Sequence, residues 1–224
     1  MASFPRCSRP KPGIARNSAK ATTMAKFLMF AGSARKASTN KQLAALAAST
    51  AKAEGADVTL IDLKDFGMPL YDGDLEQDRG LPENAKRLKQ LFVEHDGIFI
   101  ASPEYNSSIS PLLKNALDWI SRPHTESEPP LWAFNGKVMA IGSVAPGAFG
   151  GLRGLVPLRM MLGNIGVAVV PNQVAISNGV NAFDDVGALK DEQQSQMLKA
   201  TIKQLILTTE AITGSSQTDE RNSP

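Results

Sequence analysis

The stretch KFLMFAGSARKASTN, residues 26–40, decides the fold of this chain. Residues 26–31 are apolar apart from the first, a pattern typical of a strand buried on both faces of a parallel sheet. Gly32 and Ser33 end this strand. Residues 39–54 then place apolar side chains at helical spacing, which predicts a helix directly after a short loop.

The same alternation of strand and helix continues along the chain. Four more strands are predicted at 57–63, 97–101, 137–142 and 166–170. Helices are predicted at 82–94, 111–120, a segment ending near 162 and 190–213, with Gly214 as the last stop and Pro157 marking a kink or a helix start. Gly- and Pro-rich loops are predicted at 64–80 and 123–136. The predicted fold is α/β, a doubly wound three-layer sandwich around a five-stranded parallel sheet.

Composition excludes several classes of protein. One cysteine and two histidines exclude a disulfide framework, an Fe–S cluster, a CxxC redox pair and a zinc site built mainly from imidazoles. No apolar run reaches the roughly 18 residues of a membrane span. The formal charge of +2 is unevenly distributed, since residues 1–25 hold five basic residues and no acidic one. The remaining 19 basic and 22 acidic residues give −3, which does not suit a nucleic-acid binder.

The two ends of the chain differ from its body. Residues 1–25 are basic and rich in Ser, Ala and Pro, which predicts a disordered extension. It is either an organelle transit peptide or the product of a misassigned start or an added tail, with Met24 as the natural start. We therefore expect a cytoplasmic protein, or an organellar one if the extension is a transit peptide. Residues 26–213 are predicted to form one domain, and 214–224 a polar tail.

The loop at residues 32–40 has the properties of an anion site. It links a buried strand to a helix N-terminus, where free backbone N–H groups and the helix dipole favour negative charge. Ser33, Ser38 and Asn40 add neutral donors, and Arg35 adds a guanidinium suited to phosphate oxygens. The patterns GxGxxG and GxxxxGK[ST] are absent, so the loop favours a terminal phosphate monoester. The alternative is an ordinary capping loop with a solvated arginine.

Two further loops follow the third and fourth predicted strands. In the segment SPEYNSS, residues 102–108, Tyr105 offers an aromatic surface and Asn106 both a donor and an acceptor. Glu104 is equally compatible with a solvated turn, a ligand contact or an interface contact. In residues 142–151, glycines allow the backbone to approach a ligand closely. Because the carboxyl ends of parallel strands meet at one edge, the three loops together predict a site for a flat, phosphorylated aromatic cofactor.

At these loops the sequence resembles the NAD(P)H-dependent FMN reductase family, which has the flavodoxin-like fold and includes quinone, chromate and azo-dye reductases. The family's phosphate loop G-S-x-R-x-x-S-x-N is matched by Gly32, Ser33, Arg35, Ser38 and Asn40. Its P-E-Y-N motif is matched by residues 103–106, followed by the typical LKNALDW at 113–119. The resemblance extends from about residue 26 to residue 212 and does not cover 1–25.

The resemblance implies a cofactor, a reaction and a set of contacts. It implies that the FMN phosphate is held by Ser33, Arg35, Ser38 and Asn40. It implies that the isoalloxazine is lined by Pro103, Glu104, Tyr105 and Asn106, with Ser143 and Gly147 on the facing loop. NADPH or NADH would reduce the flavin in a ping-pong cycle that needs no catalytic side chain. Quinones, free flavin, azo compounds or oxidised metal species would then accept the electrons.

The resemblance also implies a homodimer or homotetramer, with the helix at 111–120 as an interface element. Leu113 and Trp119 are then either interface or core residues. Two other functions compete with the reductase: a flavodoxin-like FMN electron carrier and a non-enzymatic flavin-binding protein. Carriers are usually strongly acidic and lack an arginine at the phosphate, so Arg35 and the nearly balanced charge favour the enzyme. A Ser–His–Asp hydrolase is disfavoured because the GxSxG elbow is absent.

Overall fold

A computed structural model describes the backbone of residues 24–219 and the side chains of residues 24–214. It contains one parallel sheet of five strands in the order β2-β1-β3-β4-β5. The strands are β1 (Lys26–Ala31), β2 (Asp57–Leu60), β3 (Gly97–Ala101), β4 (Val138–Val144) and β5 (Ala168–Ile176). The strand order is that of flavodoxin-like proteins, so the predicted fold is confirmed.

Residues 24–219 contain six α-helices, five of which cover the two faces of the sheet. They are α1 (Thr39–Ala53), α2 (Gly73–Arg79), α3 (Glu83–Glu94), α4 (Pro111–Ser121), α5 (Leu152–Asn164) and α6 (Glu192–Asp219). Helices α1 and α6 pack on one face, and α3, α4 and α5 pack on the other. Among residues 24–219, no helix has both the length and the apolar character needed to cross a bilayer.

The first strand shows why its sequence is apolar at nearly every position. Phe27 and Met29 belong to the core on the α1–α6 side, whereas Leu28 and Phe30 belong to the core on the other side. All four side chains are at most 1% exposed. A strand with both faces covered has no position for a polar side chain, so the run of apolar residues follows from its central place in the sheet.

Several predicted boundaries were wrong. The predicted loop at 64–80 contains the short helix α2, which begins at a capping Asp72 and buries none of its own residues, so it has no apolar pattern to detect. Strand β4 continues to Val144, which places Ser143 inside the strand rather than in the following loop. Strand β5 starts and ends later than predicted: its pairing with β4 skips residues 170–172 at a register shift and resumes at Gln173.

Two residues that usually interrupt helices lie inside them. Pro157 lies within α5, where its neighbours Leu155 and Leu158 are completely buried and hold the helix against the sheet. Gly214 lies within α6 and does not have the positive φ that a glycine adopts when it ends a helix. Tertiary packing therefore overrides the tendency of Pro157 to interrupt α5. The predicted end of α6 at residue 213 was wrong.

The strand order places the candidate loops together. The direction of chain progression reverses between β1 and β3, and ligands of such sheets bind outside the carboxyl ends of the strands at this switch point. The loop after β1 and the loop after β3 lie on either side of it. The loop after β4 follows as the next neighbour in the sheet.

Candidate functional site

A cavity of about 280 Å³ lies at the switch point, between the loops that follow β1, β3 and β4. Seven of the predicted site residues line it: Ser33, Arg35, Ser38, Asn40, Pro103, Glu104 and Tyr105. Asn106 and Gly147 line an adjoining cavity of about 340 Å³ that shares Glu104 with the first. Gly32 and Ser143 line neither cavity. Gly179 and Val180, from the loop after β5, were missed because their loop has no motif.

The N-terminus of α1 presents unused donors to the first cavity. Ser38 is the N-cap residue, but its side chain makes no capping hydrogen bond, and the first helical turn has no acidic residue. The Lys41 N–H donates to the Ser38 carbonyl at 3.0 Å, whereas the N–H groups of Thr39 and Asn40 precede the first hydrogen bond of the helix and have no partner within it. Arg35 is exposed, and its Nη2 atom donates to the Ala37 carbonyl at 3.2 Å. This set of neutral and cationic donors fits a phosphate group.

The side chain of Asn40 joins two of the loops. Its Nδ2 atom donates to the Val144 carbonyl at 2.9 Å, and its Oδ1 atom accepts from the Val144 N–H at 3.0 Å. Asn40 is 3% exposed. Because both ends of its amide are bonded, the Asn40 side chain fixes α1 to the end of β4, and its backbone N–H is the group left for an anion.

Gly32 supports the phosphate loop by allowing close packing. A Cβ atom at Gly32 would lie 2.9 Å from the Cβ atom of Leu113, which requires a shift of α4. The Gly32 carbonyl accepts from the Ser110 hydroxyl at 2.6 Å, and Ser110 also caps α4 by accepting from the Leu113 N–H. The first loop is therefore anchored to the helix that follows the second loop.

The P-E-Y-N motif forms a tight hairpin turn. The backbone N–H of Tyr105 donates to Ser108 at 2.9 Å, and that of Ser108 donates back at 3.0 Å. The two residues between them, Asn106 and Ser107, have φ values of +51° and +63°. Positive φ at both central positions is the signature of a type I′ turn, which asparagine favours. The turn leaves the Tyr105 ring 46% exposed at the rim of the cavity.

Glu104 has its carboxylate directed toward α5. One carboxylate oxygen accepts from the Nε atom of Arg153 at 3.0 Å and from its Nη2 atom at 2.8 Å. The other accepts from the Gly154 N–H at 3.1 Å. The Glu104 side chain is only 8% exposed, so it is not a solvated turn carboxylate. Glu104 forms an intramolecular ion pair with Arg153 that joins the P-E-Y-N turn to the start of α5.

The glycine-rich loop after β4 is closely packed where it meets α5. Gly150 and Gly151 have φ values of +59° and +88°. A Cβ atom at Gly151 would lie 1.9 Å from the Ser143 Oγ atom, so only glycine fits there. The Ser143 hydroxyl is buried beneath Gly151 and has no hydrogen-bond partner among the described residues. Gly147 faces open space, and contacts of Ser143 and Gly147 with a cofactor stay predictions.

Other residues singled out in the sequence lie away from this site. Leu113 and Trp119 are completely buried, so both are core residues. His95 ends α3 and bonds to the Leu91 carbonyl and the Thr59 hydroxyl, and His124 pairs with Glu128. Among residues 24–219, no group of three or more His, Cys, Asp and Glu side chains is placed to hold a metal ion.

Comparison with known proteins agrees with this geometry. Residues 25–181 match the family model of the NADPH-dependent FMN reductases. An NAD(P)H-dependent FMN reductase of Pseudomonas aeruginosa is 34% identical over 154 residues, 68% of this chain and 78% of the relative. An NADPH:quinone oxidoreductase of Arabidopsis thaliana is 35% identical over 189 residues, 82% of this chain and 89% of the relative.

A solved structure shows the same fold. The flavoenzyme FerB from Paracoccus denitrificans, an NAD(P)H:(acceptor) oxidoreductase, superposes with a TM-score of 0.70 and 26% identity, covering 84% of this chain and 98% of FerB. The family match covers the loops after β1, β3 and β4 that form the two cavities. The chain therefore belongs to the NADPH-dependent FMN reductase family and is an FMN- and NAD(P)H-dependent oxidoreductase.

Proposed function

We propose that the cavity at the switch point holds FMN and that the enzyme reduces quinones with NAD(P)H. One observation carries the proposal: the donors of the α1 N-terminus and the P-E-Y-N turn line a single cavity. When bound, FMN supplies the hydride and electron chemistry, and the protein supplies its position and electrostatic surroundings. The names of the relatives support quinones as the acceptor class. Free flavin, azo compounds and oxidised metal species remain alternative acceptors.

Ser33, Arg35 and Ser38 would hold the phosphate. The side chains of Ser33 and Ser38 are buried, whereas the guanidinium is exposed and donates to the Ala37 carbonyl. Together with the free N–H groups at the start of α1, they would donate hydrogen bonds to the phosphate oxygens. Asn40 would act by holding α1 against β4, as its two bonds to Val144 indicate.

Pro103, Tyr105 and Asn106 would orient the ring system. Backbone N–H and C=O groups beyond the end of β3 would bond its polar edge, and the exposed Tyr105 ring would cover its border. Gly147, in open space on the opposite loop, would leave room for the nicotinamide and the acceptor in turn. The bound flavin and nicotinamide would supply the hydride chemistry, and the protein would position them, so no side chain has to act as an acid or a base.

A flavin titration followed by rapid mixing tests this function. The purified protein should bind added FMN and turn yellow. Under anaerobic conditions the flavin absorbance should bleach rapidly with NADPH or NADH and recover when a quinone is added. A carrier would bind FMN but bleach slowly. A protein that remains colourless with excess FMN would contradict the proposed function.

We further propose that the enzyme is a homodimer or homotetramer that associates through α4 and α5. The two helices form an apolar groove of about 550 Å³, here called the α4–α5 groove, lined by Ser108, Ile109, Pro111, Lys114, Pro157, Met160, Met161, Asn164 and Ile165. Val156 and Met160 are each 64% exposed beside or within it. Exposed apolar surface of this kind is typical of interfaces. We also retain a cytoplasmic location as a proposal, with an organellar location as the alternative if residues 1–25 act as a transit peptide.

A further inference from the structure

We propose that Arg153 is a positioning residue that controls the redox balance of the bound flavin by neutralising Glu104. This inference rests on the proposed FMN site and concerns a residue outside both sequence motifs. Arg153 is the second residue of α5, and Glu104 belongs to the P-E-Y-N turn. Their ion pair is the side-chain link between the turn that would border the ring and the helix behind the glycine-rich loop.

The geometry holds the Glu104 carboxylate in one orientation. One oxygen accepts from two nitrogen atoms of Arg153, and the other accepts from the Gly154 N–H. Gly154 itself allows this approach, because a Cβ atom there would lie 3.2 Å from the Glu104 side chain. The carboxylate is thereby turned toward α5, although Glu104 lines both cavities.

The two charges differ in their contact with water. The Glu104 side chain is 8% exposed, whereas that of Arg153 is 62% exposed. Water and salt screen the guanidinium, but they screen the buried carboxylate far less. Without Arg153, Glu104 would keep one N–H partner and place an uncompensated negative charge beside the cavity.

Such a charge would act on one redox state more than on the other. Hydride transfer adds two electrons and one proton to the isoalloxazine, so the ring gains one negative charge. An uncompensated carboxylate at the cavity wall would therefore weaken binding of the reduced form more than binding of the oxidised form. Arg153 prevents this by pairing with Glu104, and its own screened charge contributes little.

Affinities of the two redox forms of FMN test the inference directly. The measured quantity is the affinity ratio, defined as the Kd for oxidised FMN divided by the Kd for reduced FMN, both determined anaerobically by titration of the apoprotein. We expect Arg153→Gln to lower this ratio about tenfold, which for a two-electron couple corresponds to about 30 mV. Arg153→Lys, which keeps a cation, should restore most of the ratio.

Repeating the measurement in a Glu104→Gln variant tests whether Arg153 acts through Glu104 or directly on the flavin. In Glu104→Gln protein, the further change Arg153→Gln should alter the ratio by less than twofold, because no carboxylate remains to neutralise. The matched control is Arg79→Gln, which removes an exposed arginine at the end of α2 and should leave the ratio unchanged. An equal fall in both backgrounds would mean that Arg153 acts on the flavin itself and would overturn the inference. Failure of the wild type to bind FMN would instead overturn the proposed function.

Discussion

Arg35 and Lys36 are adjacent, exposed and equally charged, yet only Arg35 lines the cavity. Arg35 lies two residues after Ser33. The Ser33 hydroxyl accepts from the Arg35 N–H at 3.3 Å and so helps to position the backbone of Arg35. A guanidinium can donate two parallel hydrogen bonds to one phosphate, which a lysine cannot. The two side chains are therefore a matched pair for testing whether position or charge matters.

We expect Arg35→Ala to weaken FMN binding roughly ten- to hundredfold, because a charged phosphate contact contributes about 1.5–3 kcal/mol. Lys36→Ala should change the Kd for FMN by less than about threefold, because this lysine contributes only to the overall electrostatic field of the protein. Quenching of FMN fluorescence during titration measures both. Equal losses in the two variants would contradict a specific phosphate contact by Arg35.

Asn40→Ala should destabilise the protein even before FMN is added. The change leaves the N–H and C=O groups of Val144 without their partners in a buried place. Each buried unsatisfied group costs about 1–3 kcal/mol, so the free energy of unfolding should fall by about 2–6 kcal/mol. Urea denaturation of the apoprotein measures this. Thr39→Ala, at the neighbouring position, should change the same quantity by less than about 0.5 kcal/mol. Normal stability of Asn40→Ala would show that the bridge to β4 is unimportant.

At the scale of the elements, an ion pair fastens the end of β2 to α1. The Asp62 Oδ2 atom accepts from the Lys41 Nζ atom at 2.6 Å, and its Oδ1 atom accepts from the Lys64 N–H at 3.0 Å. Burial acts to raise the pKa of Asp62, but the hydrogen bonds from Lys41 and Lys64 outweigh it, so its pKa is lowered below the ordinary value. The charged carboxylate is therefore favoured by folding.

The lowered pKa of Asp62 has a defined consequence for acid stability. Its contribution is fully present above the unfolded pKa, near 3.9 for aspartate, and disappears as the pH falls through the lower folded pKa. Wild type should therefore exceed Asp62→Asn in free energy of unfolding at neutral pH, and the difference should shrink below about pH 4. Urea titrations between neutral and acid pH measure it. Asp57→Asn, at the exposed start of β2, removes the same charge without breaking an ion pair and serves as the control. A difference that stays constant to the lowest pH would refute this role.

At the scale of the whole molecule, the α4–α5 groove is the surface that an oligomer would cover. We expect Met160→Lys to shift the protein toward monomer, because burying an unpaired charge at an apolar interface is costly. Met197→Lys, on α6, is a matched control, since Met197 is also an exposed methionine, at 42%. Sedimentation velocity measures the oligomeric state of each. A Met160→Lys protein that sediments as wild type would place the interface elsewhere.

Residues 1–23 of the basic extension lie outside the described residues, and the role of the extension is open to experiment. Deleting residues 1–23 should leave FMN binding and NAD(P)H turnover unchanged, because every described site residue lies beyond them. If the extension is a transit peptide, residues 1–25 fused to a fluorescent protein will direct it to an organelle, and otherwise the fusion will stay in the cytoplasm. Misfolding of the truncated protein would show that residues 1–23 contribute to the stability of the fold.

The sequence by itself determined the α/β fold, the central strands and the three loops that line the two cavities. Apolar runs and glycine stops are local signals, so β1, β3 and α4 were predicted closely. The tertiary structure alone decided that β4 extends through Ser143 and that Pro157 remains helical. It also decided that the Asn40 side chain bonds to Val144 and that the Glu104 side chain bonds to α5. The contacts of Asn40 and Glu104 join residues 104 and 50 positions apart, and β4 pairs with a strand that comes later in the chain, so no local pattern contains these partners. The free energy of burying and pairing them exceeds the local preference.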